Sequence, residues 1–131
     1  MKKTIFYLVL AISAHLFFNA SCSKEDVDDR DAFVGTWQVS ESWTNSWGSG
    51  TDNYNMTITK SSSVSNGIVI SNFGGVGYTA QATVSGNSLN IPTQISDGDT
   101  FSGTGSRNGN AMNFNYTVVD GWTGNCNATK L

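Results

Sequence analysis

The chain has 131 residues, with 13% charged and a formal net charge of −3. That length suits one small domain, and the absence of a Lys/Arg cluster argues against nucleic acid as a partner. The single histidine, His15, lies in the N-terminal apolar segment. Without that segment no imidazole remains for a Ser-His-Asp or Cys-His mechanism or for most zinc sites. The expectation is therefore a non-enzymatic protein with no cofactor and no metal.

Lys2 and Lys3 precede a largely apolar run from Ile5 to Phe18. At about 14 residues it is too short for a comfortable membrane span and matches the h-region of a secretion signal. Asn19-Ala20-Ser21-Cys22 follows directly. Small residues before a cysteine at the end of such a run resemble a bacterial lipoprotein signal. The resemblance implies a signal peptide over 1–21, lipidation of Cys22 and a membrane partner through that lipid. Ordinary secretion with a free Cys22 is the alternative. Ser23 to Asp31, SKEDVDDRD, is charged and poor in apolar residues. Such a stretch buries too little surface to fold, so 22–31 reads as a tether. Its acidic run after the cysteine resembles the surface-export signal of Bacteroidetes lipoproteins. That implies the outer membrane, with the cell surface favoured over the periplasmic face.

From residue 32 to 131 the chain alternates by two, the period of strands with one apolar face. Trp37, Val39, Glu41 and Trp43 share a face of the first strand. Tyr54, Met56 and Ile58 share one in the second, and Ile68 and Ile70 in the third. The fourth has Val76, Tyr78, Ala80, Ala82 and Val84, the fifth Leu89 and Ile91, and the sixth Phe101, Gly103 and Gly105. Met112, Phe114, Tyr116 and Val118 follow in the seventh, then Trp122, Gly124, Cys126 and Ala128 in the eighth. The predicted fold is all-β, an eight-stranded antiparallel up-and-down barrel, with a β-sandwich as the alternative.

Turn residues predict the register. A two-residue turn at Gly86-Asn87 pairs Val84 with Leu89. One at Asn108-Gly109 pairs Gly103 with Phe114 and Phe101 with Tyr116. Three-residue loops at Val119-Asp120-Gly121 and Phe73-Gly74-Gly75 pair Phe114 with Cys126 and Ile70 with Tyr78. Ser61 to Ser65 must form a wider loop or a bulge to keep parity.

Gly35-Thr36-Trp37 opens the first strand. It resembles the G-x-W signature of lipocalins and the wider calycin group, which implies a Gly at a close approach and a Trp closing one barrel end. The body as a whole is similar to small lipocalin-like lipoproteins of Bacteroidetes.

An up-and-down order gathers alternate loops at one end, with Trp43, Trp47, Phe73, Trp122, Asp52, Asp97, Asp99 and Asp120. Aromatic side chains beside carboxyls suit a small apolar ligand, a glycan or a protein partner. The candidate ligand-binding residues are Glu41, Trp43, Trp47, Phe73 and Trp122. Alternatively Trp43 and Trp122 plug the end, and the barrel is a packed surface module that contacts protein or glycan through this rim. Glu41, on the inward face, is expected to reach the mouth, to pair with Arg107 or Lys130, or to meet a ligand, because an unpaired buried carboxyl is costly. Asp97-Gly98-Asp99 reads as an acidic turn, and Cys126 as a buried apolar thiol.

Overall fold

The structure is a computed structural model and describes residues 25–131. The signal segment and Cys22 lie outside the described residues. A short 3-10 turn, η1 (Asp29–Ala32), leads into β1 (Gly35–Asn45), β2 (Gly48–Lys60), β3 (Gly67–Phe73) and β4 (Tyr78–Ser85). β5 (Ser88–Ser96), β6 (Asp99–Asn108), β7 (Ala111–Val118) and β8 (Thr123–Lys130) follow. Each strand pairs antiparallel with its sequence neighbours and β8 pairs with β1, closing an eight-stranded up-and-down barrel. The sandwich alternative is thereby excluded.

The alternating residues fill the inside. Trp37, Val39, Met56, Ile58, Ile68, Ile70, Ala80, Ile91, Phe101, Met112 and Phe114 are all buried in one cluster. The β7–β8 register follows the three-residue loop, with Phe114 opposite Cys126 and Tyr116 opposite Gly124. Gly121, the last residue of that loop, has φ 97°, which glycine adopts without a Cβ penalty. Val84 faces Leu89 as predicted.

Two registers differ from the sequence expectation. The β6–β7 turn is Gly109-Asn110, one residue later than Asn108-Gly109, so Gly103 faces Tyr116, Gly105 faces Phe114 and Phe101 faces Val118. The faces survive because the shift is two residues along the pairing. At β3–β4 the loop is longer, Gly74 to Gly77, with an irregularity at Ser71/Phe73, so Ile70 faces Ala80 and Tyr78 faces Phe73. The β1–β2 connection differs too. It is a long hairpin turning at Ser46-Trp47, paired out to Asn45 and Gly48. The Asn45 side chain accepts hydrogen bonds from the backbone N–H of Trp47 and Gly48. Its polar, glycine-rich strands carry no alternation to read.

The barrel ends are unlike each other. At one, Phe33 and Trp37 are fully buried, and the Trp37 indole N–H donates to the Phe33 carbonyl at 2.8 Å. Lys130 lies over the Trp37 ring, and a Cβ on Gly35 would stand 2.9 Å from the Lys130 chain. The G-x-W triplet thus closes this end. Residues 28–31, expected in the unpacked tether, are instead folded onto it. Asp28 caps η1 and binds Arg30 and Lys60, Arg30 reaches the carbonyls of Ser61 and Val64, and Asp29 accepts from the Gly86 N–H. Charge that cannot build a core can still dock through ion pairs and backbone groups that a loop leaves free.

Hydrogen bonds from Arg30 and then Lys60 hold the Asp28 carboxyl well below its ordinary value. A depressed folded-state value contributes stability that is present above about pH 4 and is lost as pH falls below it. Asp28→Asn is therefore expected to flatten the acid limb of the stability profile, read as the urea midpoint between pH 5 and pH 2. An unchanged acid limb would show that the cap contributes nothing.

At the other end the pairing thins. β2 pairs β3 only from Thr57 to Lys60, and β4 pairs β5 only from Thr83 to Ser85. Pro92 lacks an N–H to continue the ladder, and the Gln94 side-chain amide takes over, accepting from the Gln81 N–H and donating to the Gln81 carbonyl at 2.7 Å each. This is the open end.

Candidate functional site

Trp43 is set against glycine on both neighbouring strands, Gly50 on β2 and Gly124 on β8. A Cβ on Gly50 would come within 2.5 Å of the indole. Gly50 leaves room for the Trp43 indole, and Trp122 stacks on that ring with centroids 4.7 Å apart. The opposite face of this end is built by Tyr78, which stacks toward Phe101 at 6.0 Å and donates its hydroxyl hydrogen to Asp99. That hydrogen bond first, then burial and the nearby carboxyls of Asp99, Asp97 and Asp120, pushes the Tyr78 phenol up to about 12.

Between these groups opens a cavity of about 200 Å³ lined by Gly74, Val76, Tyr78, Asp99, Tyr116, Val118, Asp120 and Trp122. Tyr116 forms its inner wall. Beyond Tyr116 the barrel is filled: Phe73 packs on Tyr116 at 4.8 Å, on Phe101 at 5.1 Å and on Phe114 at 6.0 Å. Large rings facing Gly103 and Gly105 fill a narrow barrel in this way. A ligand seated deep between Trp37, Phe114 and Tyr116 is therefore excluded, and within the barrel the space on offer is at the mouth.

Glu41 is 2% exposed and meets neither Arg107 nor Lys130. Tyr54 donates to its Oε2 at 2.8 Å and Tyr116 to its Oε1 at 2.7 Å. Two phenols thus satisfy a buried carboxyl without a cation. Gly124 makes this possible. It lies between Tyr116 on β7 and the β1 strand, and a Cβ there would stand 2.7 Å from Glu41 Oε1 and closer still to the Tyr116 ring. Burial, then the surrounding thiol and carboxyl, raises the Tyr54 phenol far above its ordinary value. Burial and the Glu41 hydrogen bond do the same to Tyr116.

Cys126 is 3% exposed, beside the same group and 3.8 Å from the Tyr54 hydroxyl. Burial, then the Glu41 carboxyl, pushes its thiol up to about 12. It is therefore protonated and shielded at neutral pH. Under native conditions Cys126 is expected to label with a thiol reagent at least about a hundredfold more slowly than in urea. Rapid native labelling would contradict the inward register of β8.

Of the five sequence candidates, Trp122 lines the cavity and Trp43 backs it by stacking. Glu41 lies behind the wall, bonded to Tyr116, and Phe73 is fully buried in the core. Trp47 sits at the tip of the β1–β2 hairpin, 94% exposed, and does not line the mouth. Asp97 and Gly98, both at positive φ, make the tight turn between β5 and β6. Tyr78, Tyr116 and Val118 complete the walls; their signal in the sequence is inward parity on strands that end or begin at the open-end loops. Among the described residues no group of three or more His, Cys, Asp or Glu side chains is placed to hold a metal ion.

The chain matches no protein-family model and no curated protein. Among solved structures it is similar to a redesigned β-barrel, at 15% identity and a TM-score of 0.57, over 79% of this chain and 96% of that one. It is also similar to a protein of unknown function from the DUF3598 family of Nostoc punctiforme, at 12% identity and a TM-score of 0.49. That match covers 77% of this chain but 48% of the Nostoc protein. At 15% identity the first likeness speaks to the fold alone, and it agrees with the closed antiparallel barrel.

Proposed function

We propose that this protein is a lipid-anchored, non-enzymatic, lipocalin-like binding protein of the outer membrane that takes a small ligand at the open mouth of its barrel. The observation that carries the reading is the cavity of about 200 Å³ walled by Tyr78, Tyr116, Trp122, Val76 and Val118. Concave, mostly apolar surface with a few polar groups is where small molecules bind. The space is below the roughly 300–1,000 Å³ of sites for drug-sized ligands, so the occupant is one ring or one compact head group. Lipidation at Cys22 would hold the barrel by its N-terminus, and the chain enters the fold at the closed end. The mouth then points away from the anchor.

Native mass spectrometry of the purified protein, followed by a fragment screen by NMR, tests the binding reading. Hits are expected to shift resonances of Tyr78, Tyr116 and Trp122, and Trp122→Ala is expected to weaken them about tenfold. Hits that ignore this variant would remove the mouth from consideration. Mass spectrometry of the mature N-terminus tests the anchor, and an unmodified Cys22 would refute it. A second reading, contact with protein or glycan through the β1–β2 hairpin, is favoured by the exposure of Trp47. Trp47→Ala distinguishes the two, because it is expected to leave mouth binding unchanged.

A further inference from the structure

The described cations of the barrel are gathered at one end, where carboxylates pair with two of them. Among the described residues the cations are Arg30, Lys60, Arg107 and Lys130. Arg30 lies in η1, Lys60 ends β2, Arg107 is next to last in β6 and Lys130 ends β8, so all four belong to the closed end. Each is engaged there: Arg30 and Lys60 with Asp28, Arg107 with Asn87 and the Gly109 carbonyl, and Lys130 with the Ala32 carbonyl. The open end carries Asp97, Asp99 and Asp120. Two of them, Asp99 and Asp120, line the cavity, whose remaining walls include three aromatic rings.

We propose that the mouth selects a small organic cation, an alkylammonium or quaternary ammonium group, held against Tyr78, Tyr116 and Trp122 with Asp99 and Asp120 as its counter-charge. This deepens the ligand-binding reading above and rests on it. Aromatic ring faces carry negative potential and attract a poorly hydrated cation. Half-buried Asp99 adds to that potential, because water screens it less than on an open surface, and the exposed Asp120 adds to it more weakly. A neutral apolar ligand would strip water from two carboxyls and return nothing to them. An anion would meet repulsion alone. A bare Ca²⁺ finds too few oxygens here, since it takes six to eight, as a rule of about 2.3–2.6 Å contacts. The Tyr78 phenol already registers the local field: it is held up by its bond to Asp99, then by burial and the negative charges around it. Among the described residues no lysine or arginine stands at the mouth to repel an incoming cation.

The test is calorimetric titration of the full-length protein with choline and with 3,3-dimethyl-1-butanol, its uncharged isostere. Choline is expected to bind at least about tenfold more tightly, and its affinity to fall as salt rises. Asp99→Asn with Asp120→Asn keeps the side-chain shapes and is expected to remove the choline preference while leaving the urea midpoint within error. Equal or better binding of the isostere would overturn the cation and leave the mouth as a ligand site. A choline preference that survives the double variant would overturn the assigned counter-charge. If neither probe binds at millimolar concentration the proposal fails, and the co-purification experiment then decides the broader reading by itself.

Discussion

Glu41→Leu is expected to lower the unfolding free energy by roughly 2–4 kcal/mol, about 1–2 kcal/mol for each of the two phenols left without its acceptor. The carboxyl accepts from Tyr54 and Tyr116, and among the described residues the Tyr54 hydroxyl has beyond it only a long contact with Cys126. Leucine fills a similar volume, so the loss reports the orphaned hydroxyls and not a cavity. Glu41→Gln retains an oxygen for one phenol and an amide that the other can face, and is expected to cost about 1 kcal/mol. Converting the whole set to apolar groups, Glu41→Leu with Tyr54→Phe and Tyr116→Phe, is expected to recover most of the loss, because no polar group is then left unpaired. The readout is the urea midpoint at constant slope. A Glu41→Leu protein as stable as the parent would show that the three groups are not a unit. The same cluster sets an alkaline limit. Both phenols are raised in the folded state, so their contribution is present below about pH 10 and is lost as pH climbs beyond it. Glu41→Leu removes the carboxyl contribution to that shift and is expected to soften the decline.

Trp37→Ala is expected to be larger still, about 3–5 kcal/mol. The ring is fully buried, donates to the Phe33 carbonyl and supports the Lys130 chain above it. Against a typical domain stability of about 5–15 kcal/mol this is a large share. It corresponds to a fall of roughly 12–30 °C in the melting temperature of a barrel this size. Trp37→Phe keeps most of the packing and drops the N–H, and is expected to cost about half as much or less. A Trp37→Ala protein melting within a few degrees of the parent would mean that the end is closed by something other than this side chain. Because Trp37 lies at the end opposite the mouth, any ligand that binds the folded variant is expected to bind it as tightly as the parent.

Alternation by two was enough to read most inward residues, from Trp37 and Val39 on β1 to Cys126 and Ala128 on β8. It is a local property, since each pleat turns successive side chains to opposite faces whatever the neighbour does. Strands without it escaped: the β1–β2 hairpin from Thr44 to Asn53 is polar on both faces and looks like a loop. Register was legible where turn chemistry is unambiguous, at Gly86-Asn87 and Val119-Asp120-Gly121. It slipped at Asn108-Gly109-Asn110, where two adjacent dipeptides make equally good turns. The docking of Asp28 to Asp31 was illegible for another reason. A charged run looks solvated until a specific Lys60, a loop carbonyl and the Gly86 N–H are brought beside it.

By itself, then, the sequence determined the fold class and the inward face of most strands. These depend on spacing along the chain and on the types of side chain at each position. The tertiary structure decided what the first strand does with Glu41. Its carboxyl is satisfied by Tyr54 and Tyr116, which are 13 and 75 residues away: Tyr54 stands on the neighbouring β2, and Tyr116 reaches it across β8 where Gly124 leaves the way open. It also decided that Phe73 belongs to the core and that Trp47 stands clear of the mouth. Tyr78, Tyr116, Asp99, Asp120 and Trp122 meet at the cavity because barrel closure brings β4, β6, β7 and the β7–β8 loop to one rim, and closure is a long-range condition that no local pattern encodes.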